Sequence, residues 1–220
     1  MASPDADATG AKQTLRALVE AAAAGYPPPA DGTVEVLARP PGPVSAVLGF
    51  AAHHVVAADV DPEWVREQLP PDSLSAPLAA RFLHALEQKT GARAGSLDVV
   101  LAAQSHHGLP PLPLVPDVGA GHDRVLRAER YRVDVRTWSL PGGMVLVGRG
   151  LAGRWEASFE VEPEARSRGL GRTLADATRY LIPAGERLFV QVAPGNVPSM
   201  RVALAAGFTP IGAEVLLLHT

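Results

Sequence analysis

The residues best suited to chemistry lie in the run Val161-Glu162-Pro163-Glu164-Ala165-Arg166-Ser167-Arg168-Gly169-Leu170-Gly171-Arg172. Its pattern is that of a strand end, a short loop and a helix start. Gly169 and Gly171 remove side chains where the backbone must approach another group closely. The first N–H groups of the following helix have no intrahelical acceptor and sit at the positive end of its dipole, so they form a ready anion site. Arg166, Arg168 and Arg172 surround it with guanidinium groups, which grip phosphate at two points. The bland alternative is a glycine-rich connection with solvated arginines. A phosphate or pyrophosphate resting on the helix start is the chemistry these residues favour.

A second glycine cluster, Gly148-Arg-Gly150-Leu-Ala-Gly153, matches the GxGxxG dinucleotide fingerprint letter for letter. That fingerprint works only where a strand feeds a helix whose N-terminus meets the pyrophosphate. Here the glycines lead into Arg154-Trp-Glu-Ala-Ser-Phe-Glu-Val161, which reads as a strand. A glycine-rich turn between antiparallel strands is therefore expected, and no GxxxxGK[ST] loop is present.

The run Val-x-Pro-x-x-Arg-x-x-Gly-x-Gly resembles the acyl-CoA pyrophosphate loop of the GNAT N-acyltransferase superfamily. Further along, Asn196-Val-Pro-Ser199-Met-Arg-Val-Ala203-Leu-Ala-Ala-Gly207-Phe208 is similar to that family's second signature. The resemblance covers about residues 122–220. It implies a mixed α/β fold: a central, mostly antiparallel sheet with splayed strands, flanked by helices. It implies that the strand ending at Val161 and the strand beginning at Leu188 part, with the pantetheine arm of acetyl-CoA or another acyl-CoA between them. Backbone near Val161 and residues Arg166, Ser167, Arg168, Gly169, Leu170, Gly171 and Arg172 would hold the coenzyme, with Asn196 and Ser199 close by. The activity implied is direct transfer of an acyl group to an amine; the alternative is a coenzyme-binding or regulatory protein with little turnover.

Such a transfer needs a neutral amine, a polarised thioester carbonyl and a proton for the leaving thiolate. A backbone N–H near Val161 would polarise the carbonyl. Glu156 and Glu160, four apart on a strand, share one face. Either becomes a general base, directly or through water, if burial raises its pKa toward neutrality; both on a solvated face is the alternative. Many members of the family have a Tyr seven residues after the motif Asn as acid. Here that position is Ala203, and Tyr180 on the preceding helix has no ground for the role. The acid is unassigned, with water or Ser199 left to serve.

Hydrophobic periodicity supplies the elements that must position these groups. Residues 1–10 read as a loose tail and 12–24 as a helix ended by Gly25. Strands are expected at 33–37, 44–50 and 54–60, with His53-His54 in a partly exposed turn. A helix should begin at Asp61-Pro62-Glu63, and another, capped by Ser73 or Ser75, should run to about Lys89. A strand follows at 96–103. The Gly/Pro/His-rich residues 104–121 make the best internal boundary, dividing an N-terminal α/β region (11–120) from the coenzyme-binding part (121–220). The second part reads as helix 122–129, strands 131–138, 144–147 and 155–161, helix 170–181, strand 188–192, helix 197–206 and strand 211–218. In helix 170–181, Leu170, Leu174, Ala177 and Leu181 share one face, and Arg172 and Asp176 could pair on the other. The N-terminal region is either a degenerate GNAT-like half or an acceptor-side region; in both cases helices 61–69 and 74–89 would shape the acceptor pocket.

Composition narrows the classes. At 220 residues with 47% hydrophobic content the chain can bury a substantial core. It has no cysteine, which excludes disulfides, thiolate zinc sites and Cys nucleophiles. Residues 1–120 hold 7 Lys+Arg against 13 Asp+Glu, a net of −6, and residues 121–220 hold 13 against 10, a net of +3. All 13 of the latter are Arg, a weak pointer to an anionic ligand. No basic run is interleaved with aromatics, so nucleic acid is not an expected partner. The seven His show no metal-ligand spacing, and no metal is expected. Residues 1–10 do not resemble a secretory signal, and His53-His54 breaks the longest apolar stretch, 44–60, so a cytoplasmic protein without a membrane span is expected. The acceptor, a small-molecule or protein amine, and a homodimeric state stay open.

Overall fold

The structure, a computed structural model, describes residues 14–71, 73–117 and 121–219. The expected tail at 1–10 lies outside the described residues. The elements run α1 (Leu15–Ala23), β1 (Val34–Leu37), β2 (Val44–Phe50), β3 (His53–Ala57), α2 (Pro62–Gln68), α3 (Ala80–Thr90), β4 (Arg93–Gln104), β5 (Val115–Asp117), α4 (Asp123–Glu129), β6 (Val133–Leu140), β7 (Gly143–Arg149), β8 (Trp155–Val161), α5 (Leu170–Ala177), β9 (Arg187–Val192), α6 (Val197–Ala205) and β10 (Thr209–Leu218). The strands join in one sheet, ordered β1-β3-β2-β10-β4-β9-β8-β7-β6-β5. All neighbours are antiparallel except β1 with β3 and β8 with β9. This is the mixed α/β, mostly antiparallel architecture expected from the sequence.

The last strand, β10, lies between β2 and β4, so residues on both sides of the 104–121 segment share a sheet. That segment also contains β5, a three-residue edge strand paired with β6.

Period-two alternation sorts side chains onto two faces. On one face α1 buries Leu15 and Leu18 against Ala46, Leu48, Val100 and Phe189. Farther along it, Val125 and Ala128 of α4 cover Met144 and Leu146. The other face packs Ala175 and Ala203, from α5 and α6, on Leu101, Val147, Leu188 and Val190. At its far end Val65 of α2 and Phe82 and Leu86 of α3 cover Val47, Val56 and Leu217.

Local differences from the sequence pattern have local causes. His53 and His54 are 6% and 4% exposed inside β3 and not in a turn. The turn falls one step earlier, where Ala51 takes φ 44°, and Phe50 pairs with His53. Helix α3 begins after Ala79, which has no side-chain cap bond, rather than at Ser73 or Ser75. A helix running on from Ser73 would hold Pro77 inside it without a donor; the chain makes a 3-10 turn at Ala76–Leu78 instead. Helix α5 tightens after Ala177 into a 3-10 turn at Thr178–Tyr180, where the Thr178 hydroxyl donates to the Ala175 carbonyl at 2.6 Å. Asp176 does not meet Arg172. It contacts His106 at 3.1 Å and Arg179 at 3.4 Å.

Candidate active site

β8 and β9 pair at Trp155↔Leu188 and Glu156↔Phe189 and nowhere beyond. Past Glu156 the two strands separate, as the family resemblance implied. The gap opens into a cavity of about 880 Å³, lined on its two sides by Ala157–Glu160 of β8 and Val190–Val192 of β9. Helix α4 and the residues after it form the roof, through Arg124, Arg127, Tyr131 and Arg132; β4 contributes Asp98. Helices α2 and α3 do not line it, contrary to the acceptor role expected for 61–69 and 74–89. Their apolar faces are spent on the opposite side of the sheet.

Arg132 sits where the strands part. Its Nε donates to Glu156 Oε2 at 2.8 Å, Nη1 to Ser158 Oγ at 3.1 Å and Nη2 to Gln191 Oε1 at 3.1 Å. One guanidinium therefore ties β8 to β9 through side chains where backbone pairing has stopped. Beneath it, Arg154 is 1% exposed and donates to Glu156 Oε1 at 2.8 Å and to Glu214 Oε1 at 2.5 Å, with its guanidinium 5.2 Å from the centre of the Phe189 ring. A charge this deep is tolerated because it is paired on both sides. The network joins the β7–β8 turn, β8 and β10.

Glu156 and Glu160 do share the cavity face, as their spacing requires, but their surroundings differ from the expectation. Glu156 is 1% exposed. Burial alone would raise its carboxyl; the charges of Arg154 and Arg132 outweigh burial and hold it below the ordinary value. Glu160 accepts a 2.6 Å hydrogen bond from Arg124, which likewise lowers it against the smaller effect of burial. Both are ionised at neutral pH. Arg124, Arg132, Arg154 and Gln191 were not singled out from the sequence. The only signal was the all-Arg composition of the C-terminal part, which does not say which arginine meets which glutamate.

The glycine cluster at 148–153 is the turn between β7 and β8. A 3-10 turn at Leu151–Gly153 carries Ala152 at φ 53° and Gly153 at φ 73°. Gly150 packs on the Glu156 carboxylate so closely that a Cβ there would stand 2.2 Å from its Cδ. The Leu151 amide donates to Glu156 Oε1 at 3.2 Å. Gly150 makes room for a buried carboxylate, and the cluster starts no α-helix.

At the other cluster a helix does start. Gly169 is the N-cap of α5 at φ 83°, and Ser167 stands at φ 62°. The amides of Ser167, Arg168, Gly169, Leu170 and Gly171 have no acceptor among the described residues. Gly169 is needed for its left-handed backbone, since a Cβ there would meet nothing within 4 Å; a Cβ on Gly171 would come to 3.4 Å from Val202 and 3.5 Å from Val161. Arg166, Arg168 and Arg172 are exposed, and Arg166 Nε donates to the Val161 carbonyl at 3.2 Å. Asn196 caps α6, its side-chain oxygen accepting from the Ser199 amide at 3.2 Å, and both residues line the cavity. Ala203 is fully buried. Tyr180 lies against His106, ring centres 4.7 Å apart, and not among the cavity residues. Tyr131 is the tyrosine that faces the cavity. Among the described residues no three His, Cys, Asp or Glu side chains gather as a metal site, and no helix is long and apolar enough to cross a membrane.

Neither a protein-family model nor a curated protein matches this sequence. Solved structures do. A GCN5-related N-acetyltransferase from Kribbella flavida aligns at 17% identity and TM-score 0.41, over 62% of this chain and 63% of that one. An acetyltransferase of the GNAT family from Colwellia psychrerythraea aligns at 10% identity and TM-score 0.37, over 62% and 61%. A tandem GNAT protein from the clavulanic acid biosynthesis pathway aligns at 16% identity and TM-score 0.40, over 79% of this chain and 63% of its own. The chain is similar to GNAT acetyltransferases. The aligned part spans less than two thirds of each of those proteins.

Proposed function

We propose that the protein is an acyl-CoA-dependent N-acyltransferase, with acetyl-CoA the expected donor, which transfers the acyl group directly to an amine in a ternary complex. The observation that carries this reading is the coincidence of two features of the chain itself: the parting of β8 and β9 after Glu156, and the five unpartnered amides at residues 167–171. Strand separation frees backbone donors and acceptors on both walls for an extended amide-bearing arm. The helix start supplies N–H groups and positive potential for a diphosphate, with Arg166, Arg168 and Arg172 as flanking cations. Asn196 and Ser199 border the same arm.

In the reaction the amine nitrogen attacks the thioester carbonyl, the C–N bond forms, the C–S bond breaks, and the thiolate takes up a proton. A backbone N–H near Val161 polarises the carbonyl. Glu160, half-exposed at the cavity wall, receives the amine proton through water. Glu156 orients Arg132 across the gap and is the second candidate for the base. The N-terminal half fits a degenerate GNAT-like unit without a coenzyme loop, and a cytoplasmic location belongs to the same proposal. The absence of Tyr at position 203, together with two glutamates held acidic, favours one second reading: coenzyme binding with little turnover.

Calorimetry with acetyl-CoA tests the proposal. The protein should bind it, and Gly169→Val, which strains a left-handed position, should weaken binding at least about 10-fold, roughly 1.4 kcal/mol. No binding by the unaltered protein, or unchanged affinity in the variant, would sink the assignment. Thiol release with a panel of amines separates turnover from binding alone.

A further inference from the structure

Three charged residues that line the cavity, Asp98, Asp123 and Arg127, have no ion-pair partner within 4.0 Å among the described residues. Glu156 and Glu160 are committed to Arg132 and Arg124. Asp123 belongs to the first turn of α4. Asp98 lies on β4 and Arg127 on α4. They are close enough that Arg127 pulls the Asp98 carboxyl downward, against the larger upward effects of burial and of Glu214.

Asp98 lies directly opposite Glu214 in the β4–β10 register, so the two carboxylates stand side by side on one face of the sheet, Asp98 at the cavity and Glu214 buried behind it. Like charges in that relation repel. Glu214 is 1% exposed; Arg154 occupies its Oε1, and its Oε2 has no hydrogen-bond partner. A buried carboxylate oxygen without a donor is a costly arrangement. The site is built to gain from a cationic group with several N–H donors, placed beside an exposed guanidinium that can take an anion.

We propose that Asp98, backed by Glu214, and Arg127 form a two-point clamp for the zwitterionic head group of an α-amino acid: ammonium on Asp98, carboxylate on Arg127. That this amino acid is the acyl acceptor rests on the acyltransferase proposal; the clamp itself does not. Neither residue belongs to the coenzyme loop, and both lie on elements, β4 and α4, that the sequence motifs do not touch.

The test is calorimetry on the full-length protein with L-leucine and L-lysine, each against the amine that lacks only the carboxylate, 3-methylbutylamine and cadaverine. At least one amino acid should bind about 10-fold or more tightly than its amine. Arg127→Gln should erase that preference, and Asp98→Asn should weaken amino acid and amine alike about 10-fold. Both variants should keep the unaltered affinity for acetyl-CoA and the unaltered melting temperature. Equal binding of amino acid and amine, binding of neither, or variants that bind like the unaltered protein would overturn the clamp. If acetyl-CoA binds and the clamp fails, the transferase reading survives without it. If acetyl-CoA does not bind while both charges prove necessary for the amino acid, the clamp stands and the transferase reading falls.

Discussion

β1 and β3 run parallel and stay paired from Val34↔His54 through Leu37↔Ala57, whereas β8 and β9, also parallel, pair at two positions and then separate. The closed pair is covered by α2 and α3, with Val34, Val36 and Val56 in one apolar cluster. The guanidinium of Arg39 meets Asp59 at 3.3 Å beyond the ends of both strands. The open pair carries Glu156 and Ser158 on one strand and Gln191 on the other, all three bound to Arg132. One sheet thus has a sealed end, at β1 and β3, and an opening in its middle, between β8 and β9.

The harshest way to break this comparison is to remove residues 1–105. β10 lies between β2 and β4, and β4 separates it from β9, so the fragment would leave β10 without either neighbour and bare an edge of β9 and the apolar residues that face α1. It should be insoluble or unfolded. A soluble fragment with a cooperative melt would show instead that 11–120 and 121–220 fold as separate units.

Next in size is Arg154→Met, which strands Glu214 in the interior and leaves Glu156 with Arg132 as its one cationic partner. Loss of one partner from a buried charge network costs about 3–5 kcal/mol, to be read as a lowered urea midpoint. The same change should close the contrast between the strand pairs if the network holds β8 and β9 apart, giving a weaker acetyl-CoA response even under native conditions.

A smaller and more selective effect is expected from the two glutamates. Glu160→Gln should lower kcat about 10-fold or more with little change in stability, the size of a lost general base. Glu156→Gln should act mainly on stability. Because Arg124 depresses the Glu160 carboxyl, the acid limb of the pH–rate profile should lie below the ordinary carboxylate range: Glu160 stays ionised, and activity persists, until pH falls through that lowered value. A limb near neutrality would assign the base elsewhere.

The smallest effect belongs to the sealed end. Burial, assisted by His53, depresses the His54 pKa below its ordinary value. The unfolded chain therefore binds a proton more readily, and stability declines as pH falls through the ordinary histidine range toward the lowered value. His54→Gln should flatten the stability profile between about pH 5 and 7, where an unperturbed histidine titrates, and leave acetyl-CoA binding unchanged. An equal slope in the variant would place the acid sensitivity in another group.

Much of this was legible before any coordinates. β8 at 155–161 and the start of α5 at Leu170 fall where the pattern puts them, and so do the glycines of the two clusters, one a turn and one a helix start. Local rules governed each: period two, period 3.6, and a helix start after Gly169. β5 was hidden because three residues, one of them proline, are too short for alternation to show. His53 and His54 were misplaced by one turn because histidine's polarity suggests exposure, while the hairpin register and the valines that follow carry it inside.

What the sequence determined alone was the succession of elements and the anion-ready loop, because both depend on residues within a few positions of one another. Three things came only from the tertiary structure: the insertion of β10 between β2 and β4, the separation of β8 from β9, and the sign of the glutamate pKa shifts. These depend on pairs distant in the chain, Arg132 with Gln191 and Arg154 with Glu214 among them. Electrostatic energy follows distance and burial in space, and neither is written in the spacing of letters.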